Sequence, residues 1–210
     1  MNGKQKRTLL VLVALAVAVA VVNASVFVYY GLTVNISGTE AEVRFAVGSN
    51  AGKSDLASRT ITVNLDGSYN TKATITIHPT NEKTYYRDVL GIENHGVNRY
   101  YYAWIKVNTP ISNQYIISAT LYIKTSPKDP PNVAIATIDL KSNTIQPAYP
   151  NYITIPKATQ TTDQNGNTVI TPGKLYIDIE IQIDRNVNAG SVSDTAVLEL
   201  IYSPQNTEPP

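Results

Sequence analysis

Apolar and polar positions alternate with a period of two along most of the chain, the pattern of strands with one buried face. In KLYIDIEIQID, Ile177, Ile179, Ile181 and Ile183 fall on one side, and Asp178, Glu180, Gln182 and Asp184 on the other. RTITVNL alternates Ile61, Val63 and Leu65, and KATITIH alternates Ala73, Ile75 and Ile77. EVRFAV places Val43, Phe45 and Val47 inward and Glu42 and Arg44 in solvent. Further strands are expected in YRDVLGIE, RYYYAWIKV, YIISATLYIK, NVAIATIDL, NYITIP, NTVIT and TAVLELIY. Turn clusters separate them: GSNAGKS, LDGSYN, NHGVN, SPKDPPN, DQNGN and NVNAGS. Their Gly, Asn, Asp and Pro residues tolerate or pre-set turn dihedrals. No window of helical length carries a 3.6-residue apolar stripe. Ten or so short strands with regular turns predict an all-β fold, a single sandwich or barrel over residues 36–203. Residues 204–210, SPQNTEPP without its first serine, have too little apolar content to pack and read as a loose tail.

The front of the chain differs. Lys4, Lys6 and Arg7 precede an unbroken apolar run from Thr8 to Val22, and Val22-Asn23-Ala24 supplies small residues where a signal peptidase reads. This is the layout of a secretory signal, residues 1–24, with cleavage after Ala24. The run is short for a membrane span, which needs about 20 residues. A competing reading continues the helix to residue 34 as an uncleaved anchor or a type IV pilin helix. That class has Gly or Ala before its processing point, where Arg7-Thr8 stands here, and after Ala24 the composition turns to strand-favouring Val, Phe and Tyr.

Removing 24 of 210 residues leaves 186, enough for one domain with a real core. Losing three basic residues takes the formal charge from +1 to −2, which offers no footprint for nucleic acid. The chain has no cysteine, so neither disulfides nor thiolate-bound metal can hold it together. No cofactor is expected.

Candidate chemistry is sparse. GSNAGKS has three residues, not four, between its first Gly and the Gly-Lys pair, and a strand follows where a phosphate-binding loop needs a helix. Asp178 and Glu180 have a spacing that suits a glycosidase pair, but alternate carboxylates on the wet face of a strand are ordinary. His78 and His95 are isolated. Asp163, Asn165 and Asn167 resemble a calcium loop, yet the glycine is misplaced and a hairpin tip fits better. No enzyme is specified. In RYYYAWIKV, Tyr101, Ala103, Ile105 and Val107 make a core face, which leaves Tyr100, Tyr102 and Trp104 as a strip on the other. Exposed, such a strip would stack on sugars, as in a carbohydrate-binding or surface-layer module, or meet another protein. Covered by a loop such as SPKDPPN, it would do neither. Asn35 heads a glycosylation sequon.

After the cut, residues 25–35 begin the mature chain as an apolar strand. Val26, Val28, Tyr30, Leu32 and Val34 share one face. A terminus this apolar must be buried, either as the first strand of its own sandwich or as a donor strand completing the sheet of the next subunit. Five such side chains are worth on the order of 10 kcal/mol before ordering costs. Head-to-tail insertion is heterologous and propagates as an open fibre.

The segment LGIENHGVNRYYYAWIKV resembles the strand–Asn–x–Gly–strand hairpin of the TasA and camelysin family of biofilm fibre subunits, and is similar to the related archaeal bundling pilins. The resemblance implies a jelly-roll sandwich in which residues 90–94 and 100–107 are paired strands, with the N-terminal segment as donor strand. The expected product is a secreted homopolymer whose partners are other copies of itself, head to tail and able to bundle laterally, with no nucleic acid and no stable membrane span after processing.

Overall fold

The computed structural model describes residues 41–55, 59–66, 70–142, 144–146 and 152–206. The signal segment with its cut after Ala24, the donor-strand residues Val26, Val28, Tyr30, Leu32 and Val34, and Asn35 lie outside them. Thirteen strands run through the described residues: β1 (Val43–Val47), β2 (Thr62–Asp66), β3 (Lys72–Thr76), β4 (Lys83–Asn94), β5 (Tyr101–Thr109), β6 (Ile116–Lys124), β7 (Ala136–Asp139), β8 (Thr144–Gln146), β9 (Ile153–Ile155), β10 (Thr159–Thr162), β11 (Thr168–Thr171), β12 (Gly173–Ile183) and β13 (Val197–Ser203). Two single 3-10 turns, Pro131–Val133 and Ala189–Ser191, are the helical elements among these residues, and no helix there is long and apolar enough to cross a membrane.

Six strands form one antiparallel sheet in the order β1-β4-β12-β6-β7-β8, and three form a second, β13-β5-β9. The pairs β2-β3 and β10-β11 are two-stranded. Both larger sheets contribute to one hydrophobic core. The long strand β12 shows why. Leu175, Ile177, Ile179, Ile181 and Ile183 are all buried on its core face, each worth about 1.5–3 kcal/mol relative to exposure. The same period buries Tyr101, Ala103, Ile105 and Val107 on β5, and Ala119, Leu121 and Ile123 on β6. The β2-β3 pair lends Val63, Leu65, Ala73 and Ile75 to the core edge. Val47 departs from the expected pattern: at the end of β1 it is 49% exposed, because the chain turns away at Gly48.

The expected hairpin between residues 90–94 and 100–107 does not form. Both edges of the first segment are already occupied. β1 pairs along one side, Val43↔Asn94 to Val47↔Leu90, and β12 along the other, Gly173↔Asn94 to Ile177↔Leu90. The chain therefore crosses to the other sheet, where β5 lies between β13 and β9. Asn94 holds the crossing. Its buried side chain accepts a bond from the Gly96 N–H (2.7 Å) and donates to the carbonyls of Arg99 (3.0 Å) and Pro156 (2.9 Å).

Candidate functional site

Two side-chain clusters stand out, one on the outer face of the six-stranded sheet and one beside β5. The first is organised by a bulge. Between β4 and β12 the register passes from Leu90↔Ile177 to Tyr86↔Ile179, so Arg87, Asp88 and Val89 stand opposite Asp178 alone. Asp88 takes a left-handed conformation, φ 45°, which is uncommon outside glycine. The turn after β1 braces it. Gly48 donates to the Val89 carbonyl (3.0 Å) and Asn50 to the Asp88 carbonyl (3.1 Å), while the Ser49 N–H donates to Asp88 Oδ2 (3.1 Å). A Cβ on Gly48 would come within 2.1 Å of the Asp88 carbonyl oxygen, so this approach requires glycine.

The bulge frees the Asp88 N–H from the sheet ladder and aims it at Asp178 Oδ1, 2.7 Å away. Asp178 Oδ2 accepts from the Tyr85 hydroxyl and pairs with Lys124 Nζ, which also donates to the Asp129 carbonyl (2.7 Å). Both members of the Lys124–Asp178 pair have fully buried side chains. Around them, Tyr122 packs against Tyr85 with ring centroids 6.0 Å apart, and its hydroxyl donates to Glu180 (3.3 Å), which pairs with Lys83 (2.8 Å). Burial first, then the bond to Asp178, pushes the Tyr85 hydroxyl well above its usual range; burial and Glu180 raise Tyr122. Asp178 is thus not on a wet face. The alternation is right, but Lys124 and Tyr85 from the flanking strands close over it. Glu180 is half-buried in the same cluster.

The second cluster corrects the aromatic strip. Tyr100 precedes β5 and is 51% exposed, Tyr102 is half-buried, and Trp104 is buried at 7%. Tyr152, just before β9, meets Tyr102 edge-on at 5.0 Å and Trp104 at 6.1 Å. The expected cover, SPKDPPN, instead supplies the Asp129 carbonyl to Lys124. Three rings in a flat exposed row are therefore not presented.

The remaining candidates fall into structural roles. His78 bonds Asp55 through its N–H (2.6 Å) and Nδ1 (3.3 Å). Burial and then Arg44 hold His95 below its usual value, against the pull of Glu93. Asp163 accepts from the N–H groups of Asn165 and Asn167, both at 2.8 Å, closing the β10-β11 tip with Gly166 at φ 82°. Among the described residues no group of three or more His, Cys, Asp or Glu could hold a metal ion. Comparison with protein-family models found no match for this chain, and a search of curated proteins found none.

The sequence alone does not single out Lys124, Tyr85, Tyr122 or Asp88. A lysine at a strand end ordinarily reaches water, and nothing local marks the bulge. The one signal in the sequence is that Tyr122 and Lys124 share a face of β6, and it is the same face of the sheet that carries Asp178 and Glu180 on β12.

Proposed function

We propose that this chain is a secreted structural subunit that polymerises head to tail, by donor-strand complementation, into extracellular pili or biofilm-matrix fibres. In this reading the signal is cut after Ala24, and residues 25–34 insert into the next subunit. The two sheets act as a jelly-roll-like sandwich that receives that strand. One observation carries the reading. An apolar, strand-patterned segment precedes an antiparallel body whose larger sheet ends, among the described residues, in short edge strands, β1 and β8. Sheet edges are where an extended segment adds, with ladder hydrogen bonds for affinity and alternate side chains for specificity. Lateral contacts between filaments fall to Tyr100 and Tyr102, since Trp104 is buried.

Negative-stain microscopy of the secreted protein tests this. Fibres from the full chain and none from a chain starting at Asn35 support it. Normal fibres from the shortened chain would refute the donor strand, and a stable monomer at high concentration from the full chain would refute polymerisation.

A further inference from the structure

We propose that Lys124 and Asp178 become joined by an intramolecular isopeptide bond between β6 and β12, with loss of one water. The inference stands whether or not the chain forms fibres.

The geometry brings amine and carboxyl into contact. β6 and β12 are hydrogen-bonded neighbours, with Tyr176↔Lys124 and Asp178↔Tyr122 in register. Lys124 and Asp178 are thus diagonal partners on one face, within reach of a long side chain. Lys124 Nζ contacts Asp178 Oδ2, and both side chains are fully buried. A buried ion pair is costly to keep: removing both charges from water consumes most or all of what their attraction returns. Condensation relieves that cost. It replaces two buried charges by one neutral amide.

Every atom the reaction needs to manage already has a partner. The ammonium passes a proton to Oδ2, giving amine and carboxylic acid with no change in net charge. The Asp129 carbonyl, 2.7 Å from Nζ, accepts a remaining N–H and holds the nitrogen beside the carboxyl. As the Nζ–Cγ bond forms, negative charge develops on Oδ1, which faces the Asp88 N–H at 2.7 Å. A preorganised backbone donor at a developing oxyanion is a strong catalytic device in a water-poor site. The Tyr85 hydroxyl bonds Oδ2. It delivers its proton there as the Cγ–Oδ2 bond breaks, and takes back the proton that nitrogen sheds. The products are the amide and one water, with no oxidant, reductant or co-reactant.

The bulge gains a purpose from this. Its left-handed residue, braced by the Gly48 turn, is what points the Asp88 N–H away from the ladder and at the carboxylate. A chain without cysteine would also acquire a covalent tie between two strands of its larger sheet.

Mass spectrometry of the full secreted chain is the test. The expected intact mass is one water below that of the processed sequence. Trypsin should fail to cut after Lys124 and release a branched species joining residues 107–128 to residues 175–185. Lys124→Arg should restore the full mass, and Tyr85→Phe, which keeps the ring, should slow the loss of water after refolding at least tenfold. Full mass in the wild type with ordinary cleavage after Lys124 would overturn the proposal. So would a water loss that persists in Lys124→Arg, since that would place the lost water elsewhere.

Discussion

Replacing Asn94 by Ala removes the side chain that steers the chain from one sheet to the other. Three bonds go with it: from the Gly96 N–H, and to the carbonyls of Arg99 and Pro156. Arg99 is exposed, so its carbonyl can turn to water. Gly96 is buried and Pro156 half-buried, and Asn94 itself has no exposed surface, so those two partners are left facing a void. A buried polar group without a partner costs about 1–3 kcal/mol, which places the loss near 3 kcal/mol in all. For a domain of this size each kcal/mol moves Tm by about 2–4 °C, giving a fall on the order of 10 °C. Trp104, the sole tryptophan, lies buried on β5 just beyond the crossing, so its fluorescence reports the transition in denaturant directly. Asn94→Asp keeps the acceptor for Gly96 but turns a carboxylate toward two carbonyls, and is expected to cost at least as much as Ala. A loss below about 0.5 kcal/mol, the range of ordinary surface changes, would refute the role assigned to this side chain.

Gly173→Ala places a methyl 2.0 Å from the Pro156 carbonyl oxygen; an overpacking cost of about 1–3 kcal/mol is expected by denaturant unfolding. At Gly166, where nothing lies within 4 Å, Ala should cost only the left-handed strain of about 1 kcal/mol. Asp163 is held below its ordinary 3.8 by the Asn167 N–H and side chain. A depressed carboxyl stabilises the fold above its unfolded pKa and loses that contribution as pH falls through the folded one. The Asn165 and Asn167 amide resonances should therefore titrate with a midpoint under 3.8; a midpoint above it would contradict the tip geometry. Tyr152→Ala uncovers Trp104 and should shift its emission to the red, with unchanged emission showing that Tyr152 is not its cover.

The strands that could be read ahead of the structure are those whose alternation is complete. β12 carries five branched side chains on one face, and β5 and β6 repeat the pattern, so tertiary packing had no local tendency to overcome. β10, with its run of Thr and Gln, and the three-residue β8 have no apolar stripe, and only pairing with β11 and β7 reveals them. The sequence around Asn94 and Gly96 serves a hairpin as well as a crossing. What decides is that β1 and β12, distant in sequence, both claim the edges of β4 first. The alternation puts Asp178 on the correct face of its strand, yet its burial depends on Lys124 and Tyr85, each more than fifty residues away. Trp104 is covered in the same manner by Tyr152, forty-eight residues on. In each case the local period survives and the neighbour across the sheet changes what the residue does.

The donor-strand claim is tested most directly by adding the peptide SVFVYYGLTV to a chain that starts at Asn35 and measuring its Tm. A strand that binds the folded body alone stabilises it by mass action, about 2.7 kcal/mol at a concentration one hundred times its Kd. A rise in Tm that grows with peptide concentration, and is absent for a peptide carrying Asp in place of Val28, is the predicted result. No rise at any concentration would contradict the account.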